Sequence, residues 1–263
     1  MSNAGPEAFF LPDGDGFVST ELTRGPWDPA SQHGGPPAAL LGRAVEQAAG
    51  RDDLQVVRMT FELLRPVPIA RLTVRTEVTR AGRSTQHTSA TMSAGPVELM
   101  RVAALSIRTA VLALPDDLTE APVPLGPGHG EGLGFFPTGQ AVGYHTAMEY
   151  RFLEGGFLER GPASVWMRMR FPLIPGEAPS PLCRVLIAAD SGNGVSGTLD
   201  FRDYVFVNPD LTVALHRAPV GDWVHLDART EIGDRGAGLA HATISDERGA
   251  VGHGLQTLLV NAR

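Results

Sequence analysis

The sequence contains no lysine. All 22 of its basic residues are arginine, which excludes every mechanism that needs a side-chain amine: a P-loop lysine, a Schiff base or a Ser-Lys dyad. Cysteine is nearly absent too. Cys183 stands alone, so no internal disulfide forms and nothing asks for an oxidising compartment; its expected role is a small buried hydrophobe inside a helix. Positive charge is in deficit. With 22 basic against 29 acidic residues the formal net charge is -7, which argues against broad nucleic-acid binding or an anionic membrane surface. No run approaches about 18 consecutive apolar residues, and the first seven residues carry no basic n-region. The reading is a soluble cytoplasmic chain without a membrane span.

Several catalytic signatures are missing as well. There is no G-x-S-x-G elbow for an α/β-hydrolase serine, and the eight His show neither H-E-x-x-H nor pairing with cysteine, so no metal site is expected. Gly192-Asn193-Gly194-Val195-Ser196-Gly197 fits G-x-G-x-x-G. A dinucleotide fingerprint opens a helix, however, and Thr198-Leu199-Asp200-Phe201-Arg202 leads toward strands, so no such cofactor is implied.

What is present is a globular composition, 43% hydrophobic with 31 Gly and 21 Pro over 263 residues. A helix follows Gly34-Gly35-Pro36-Pro37 and runs from Ala38 to Ala49, with prolines tolerated in its first turn and Gly50 as its stop. Strand patterns occupy 56–64, 71–79, 84–92 and 97–108, separated at hairpin spacing. Residues 114–140, rich in Pro and Gly, read as a linker or loop. Beyond them come strands at 146–152 and 165–171, then a second helix opened by Ser180 and Pro181 and running to Asp190. Strands follow at 204–207, 211–217, 223–230, 239–245 and 251–260. The halves echo one another. Leu64-Arg65-Pro66, Thr76-Glu77-Val78 and Gly82 are matched in order by His216-Arg217-Ala218-Pro219, Thr230-Glu231-Ile232 and Gly236, so the chain divides into repeats 1–113 and 141–263.

Among polar residues Asp190 is the most informative. Helical spacing puts it on the apolar face with Cys183, Leu186 and Ile187, near a helix C-terminus; burial and dipole both push its pKa upward. Period two places Asn208, Asp210, Thr212, Ala214 and His216 in one polar row, either a site wall or a solvent-facing row. Gln256 sits in a strand apolar on both faces and must find partners there.

A helix wrapped by a curved antiparallel sheet, occurring twice, resembles the double hotdog, an α+β fold. Gly34-Gly35, Leu64-Arg65-Pro66, Met148-Glu149-Tyr150-Arg151, Val165-Trp166-Met167-Arg168, Ala189-Asp190, Asp210 with Thr212, His216-Arg217 and Gln256 make the chain similar to the acyl-CoA thioesterase II group. That resemblance implies an acyl-CoA substrate, no cofactor, and an attacking water held by an Asp, a Thr or Ser and a Gln. By position these are Asp190, Asn208 and Gln256, with Asn208 replacing the hydroxyl and Thr212 as the nearest same-face alternative. Asp190 becomes the general base, and the N–H groups near Gly34 and Gly35 are expected to meet the oxyanion. His33 either touches the substrate carbonyl or caps the helix. Arg80 and Arg83, flanking a turn, are the candidates for CoA phosphates. The first repeat has no counterpart of Gln256, where Val102 and Ala103 lie, so one site is expected and not two. Asn208 also keeps open a non-catalytic acyl-CoA or lipid-binding protein; an enoyl-CoA hydratase fits less well, because Asn208-Pro209 lacks the flanking Asp and His of that motif. Open strand edges are the expected route to a homo-oligomer.

Overall fold

In the computed structural model, which describes residues 6–115, 122–135 and 137–263, the chain forms two like halves around a pair of buried helices. The first half starts with a hairpin, β1 (Phe10–Asp13) and β2 (Gly16–Ser19), followed by helix α1 (Gly35–Ala49) and strands β3 (Leu54–Leu63), β4 (Arg71–Ala81), β5 (Thr85–Ala94) and β6 (Val97–Arg108). The second half begins at the short helix α2 (Tyr144–Ala147) and continues with β7 (Met148–Glu154), β8 (Ala163–Met169), α3 (Pro181–Ala189) and α4 (Gly192–Ser196). It ends with β9 (Tyr204–Val207), β10 (Asp210–Leu215), β11 (Val224–Ile232), β12 (Ala237–Asp246) and β13 (Gly249–Ala262).

The two longer helices, α1 and α3, form where the sequence leads one to expect them. Gly50 adopts φ 61° and ends α1, and the Ser180 hydroxyl accepts the Cys183 N–H to cap α3. The pair runs antiparallel. Ser180 donates to Glu46 at one end, while Gly35 lies against the Ile187 carbonyl at the other. Midway, a Cβ on Gly42 would overlap the Leu186 side chain, so glycine lets the helices approach closely enough to bury Leu40, Leu41, Val185 and Leu186. Cys183 is buried in this contact, and burial pushes its thiol up to about 12.

Around the helices the strands join in the order β1-β2-β4-β5-β6-β3-β10-β13-β12-β11-β8-β7, with β9 continuing along β13. Read from either edge the order is the same, and the halves meet where Thr60 of β3 faces Thr212 of β10. A β-bulge between Met92 and Ser93 recurs 152 positions later between Ile244 and Ser245. The bulge at Val56/Arg58 in β3 matches, at the same offset, the break between β9 and β10 at Asn208-Pro209. Proline has no N–H for the ladder, so here the bulge becomes a full interruption.

Some expectations change. The opening hairpin has no counterpart among the expected strands, and the expected strand at 146–152 starts only at Met148, because 146–147 belong to the short helix α2. Pairing registers align Thr230 with Val78 and not with Thr76, so the Thr-Glu echo is not a structural equivalence. They also align Gln256 with Ala104, one residue beyond the expected pair. The Gly192–Ser196 run is itself a short helix rather than a loop leading to strands. Of the expected 114–140 linker, 116–121 and 136 lie outside the described residues. The described part docks on the second half: Leu125 accepts the Trp166 indole N–H, and Glu131 and Phe152 exchange backbone hydrogen bonds. No described helix is long and apolar enough to cross a membrane.

Candidate active site

Asp190 caps the C-terminus of α3 and is nearly buried, its side chain only 6% exposed. Because the helices are antiparallel, the same carboxylate faces the N-terminus of α1. A Cβ on Gly34 would stand 2.7 Å from Asp190 Oδ2, so only glycine leaves room for the carboxylate there. Burial pushes the Asp190 pKa upward, as expected. Positive charge on a protonated His33 ring, the Asn208 amide, the Gly34 N–H and the Gln256 amide oppose that shift without cancelling it.

Two amides converge on one oxygen. Asn208 Nδ2 donates to Asp190 Oδ1 at 2.8 Å, and Gln256 Nε2 donates to the same atom at 3.2 Å and to the Asp190 carbonyl at 3.1 Å. Gln256 is 2% exposed, and its Oε1 accepts the Asn193 N–H at 3.1 Å. Gly192 leaves space for that amide, since a Cβ would lie 2.9 Å from Oε1. The other oxygen of Asp190 meets His33, with Oδ2 and Nδ1 3.1 Å apart. His33 stacks flat on Tyr144, ring centroids 3.8 Å apart; the Tyr144 hydroxyl donates to the Ile187 carbonyl at 2.7 Å and lies 3.0 Å from Ser191 Oγ.

These groups line a cavity of about 390 Å³, whose apolar wall includes Trp27, Leu64, Phe135, Phe157 and Phe206. A second hollow of about 150 Å³ shares Trp27, Phe157, Asn193, Gly194 and Phe206 with it. Asp190, Asn208, Gln256, His33 and Gly34 therefore share one chamber.

Matching family models cover most of the chain. Residues 23–110 match the acyl-CoA thioesterase N-terminal domain and residues 115–260 the acyl-CoA thioesterase C-terminal domain. The chain belongs to the acyl-CoA thioesterase family. Its fold is the double hotdog. A hot dog fold protein from Alicyclobacillus acidocaldarius is similar at TM-score 0.73 and 16% identity, over 97% of this chain and 95% of that one. The acyl-CoA thioesterase II TesB2 of Mycobacterium marinum is similar at TM-score 0.64 and 19% identity, over 89% and 90%. A tesB protein of Mycobacterium avium subspecies paratuberculosis is similar at 0.67 and 16%, over 96% and 95%. No curated protein matches the chain in sequence.

Within this thioesterase fold other expected site residues lie elsewhere. Thr212 faces away on the outer side of the sheet, its hydroxyl donating to Thr60 at 3.3 Å, because Pro209 breaks the strand and separates Asn208 from the Asp210–Leu215 row. That row looks outward. Arg80 and Arg83 are exposed at the β4-β5 turn, and neither lines the chamber. The N–H groups expected at an oxyanion are already engaged, Gly34 with Asp190 and Gly35 with His33 Nδ1 at 3.1 Å. The strand around Gln256 is not apolar on two buried faces: Leu255 and Leu259 are 43% and 53% exposed. Three lining residues went unassigned by sequence. Tyr144 and Trp27 carry no local signal, whereas Arg65 is visible in Leu64-Arg65-Pro66, which His216-Arg217-Ala218-Pro219 echoes. Its counterpart Arg217 is locked to Asp246, while Arg65 makes its hydrogen bond to the Glu98 carbonyl and borders the chamber.

Proposed function

We propose that the protein hydrolyses acyl-CoA thioesters by direct attack of water activated by Asp190. The single observation that carries this reading is the convergence of Asn208 and Gln256 on Asp190 Oδ1 at the wall of a largely apolar chamber. A carboxylate with a raised pKa is a better proton acceptor at working pH than an exposed one. The two amides orient it, and Asn208 Oδ1, which has no protein partner among the described residues, is placed to accept a hydrogen bond from the water. The N-terminus of α1 does not hold the substrate oxygen in this scheme. The Gly34 N–H and the helix dipole stabilise the ionised Asp190 instead, offsetting the unfavourable C-terminus of α3.

The first repeat has Val56 and Ala104 at the positions of Asn208 and Gln256, so one site operates per chain. Arg65 replaces Arg80 and Arg83 as the contact for CoA phosphates. The test is thiol release from a panel of acyl-CoAs of graded chain length, with Asp190→Asn beside the wild type. Turnover by the wild type and a loss of about 100-fold or more in the variant are expected for removal of a general base. Equal rates for the two proteins on every ester would sink the proposal. Binding of acyl-CoA without turnover, gained on Asn208→Thr, would instead favour the non-catalytic binding protein.

A further inference from the structure

We infer that His33 is the general acid of this site, receiving at Nδ1 the proton that Asp190 draws from water and releasing from Nε2 the proton that leaves on sulfur. This rests on the thioesterase reading above. Three contacts around one ring carry it. The Gly35 N–H donates to Nδ1 at 3.1 Å, so Nδ1 is the acceptor nitrogen and the neutral ring holds its proton on Nε2. Nε2 has no hydrogen-bond partner among the described residues, and the ring lines the chamber, whereas Nδ1 faces inward. Stacking on Tyr144 fixes the plane, and the hydrogen bonds of Tyr144 to Ile187 and Ser191 fix Tyr144 in turn.

The contact between Asp190 Oδ2 and His33 Nδ1 then has a specific meaning. At 3.1 Å two acceptor atoms face each other while Asp190 is ionised, and a proton placed between them turns that contact into a hydrogen bond. Catalysis supplies the proton. Water attacks the thioester carbonyl and its proton passes to Asp190, giving a tetrahedral oxyanion. Asp190 hands the proton to Nδ1 as Nε2 gives its own to sulfur; the C–S bond breaks, and carboxylic acid and thiol are formed. Exchange of the ring proton between its two nitrogens through solvent restores the resting ring. Burial pushes the His33 pKa down and Asp190 only partly restores it, in keeping with a ring that is neutral at rest.

The test varies the leaving group. One acyl group is presented as its CoA thioester and as its thiophenol ester. The alkyl thiol, with a pKa near 8.5 in the manner of cysteine, gains from protonation as it leaves. The aryl thiolate departs without it. His33→Gln and His33→Asn are expected to lose about 100-fold in kcat on the CoA ester, the scale of general-acid catalysis, and only a few-fold on the aryl ester. Asp190→Asn loses activity on both. An equal loss on both esters in the His33 variants would overturn the assignment, since an oxyanion contact or a purely structural role acts alike on each. Independently of activity, 15N NMR of the wild-type protein is expected to show His33 protonated at Nε2 alone; a ring protonated at Nδ1 refutes the relay. Wild-type protein inactive on both esters would remove the thioesterase reading itself, a different failure from either of these.

Discussion

Gly34→Ala isolates the geometry of the site from its chemistry, because it replaces no reacting group and only crowds one. Gly34 sits at φ -68° and ψ -21°, a helical conformation any residue adopts, so the backbone accepts alanine. The side chain does not fit. Its Cβ would lie 2.7 Å from Asp190 Oδ2, 3.0 Å from Cγ and 3.1 Å from Oδ1. Relief requires the carboxylate to withdraw by about 0.7 Å to reach ordinary van der Waals contact, which strains the 2.8 Å bond from Asn208 and the 3.2 Å bond from Gln256. A misplacement of about 1 Å at a reacting group costs about 100-fold, and a loss of about 30- to 100-fold in kcat is expected. Stability should hardly move. The entropic gain of about 0.4–1 kcal/mol for Gly→Ala at a compatible position opposes the local clash. Thiol release measures kcat and KM, and a thermal melt checks the fold, with Gly128→Ala as a control because no atom lies within 4 Å of a Cβ there. A folded Gly34→Ala protein with wild-type kcat would refute the claim that the Asp190 carboxylate must rest on this glycine.

Three further outcomes follow from the same structure. Because burial raises the Asp190 pKa, the acid limb of kcat/KM is expected above the usual carboxylate range; of the neighbouring titratable groups, His33 and Tyr144, burial pushes the Tyr144 phenol up so that it stays protonated. The folded state then binds more protons than the unfolded chain between the two Asp190 pKa values, so stability falls as pH rises through that window. Asp190→Asn should raise Tm at neutral pH, by about 2–4 °C per kcal/mol relieved, and give no gain at pH low enough to protonate Asp190. Arg65→Ala is expected to raise KM for acyl-CoA by about 5- to 10-fold, an effect that shrinks with salt; KM for an N-acetylcysteamine thioester, which lacks phosphates, stays unchanged. Arg217→Ala strands Asp246, which is 1% exposed and accepts two 2.6 Å bonds from Arg217, at about 3 kcal/mol in urea unfolding. Burial pushes Asp246 up, but bonds from Arg217 and from the Val220 and Arg248 N–H groups outweigh it and hold its pKa low. The wild-type stability from this pair is present above pH about 4 and is lost as pH falls through the lowered pKa.

Much of this fold can be read from local pattern. Gly50 and Ser180 mark helix ends because the physics of a helix terminus involves only a few neighbouring residues. Asp190 and Gln256 stand out for a similar reason, each being a polar group among apolar neighbours that must be satisfied if buried. Asn208 was harder. A proline after it shifts its side chain out of the strand's alternation, and strict period two placed it in a row with Thr212, which in fact faces outward. The hairpin β1-β2 was missed because its residues take their order from pairing with β4, far along the chain.

The sequence by itself determined that no lysine or disulfide chemistry is available, that the chain is duplicated, and that a carboxylate lies on the apolar face of the second helix. Each is a property of residue types or of a periodicity spanning a few turns. Only the tertiary structure decided what surrounds that carboxylate. The antiparallel helix pair brings the start of α1, with His33 and Gly34, against the end of α3. The chain that joins these residues is more than 150 positions long, and no spacing rule reaches across it. The same distance explains the arginines: a turn makes Arg80 and Arg83 conspicuous in sequence, but the partner strand across the molecular centre leaves Arg65, and not them, at the edge of the chamber.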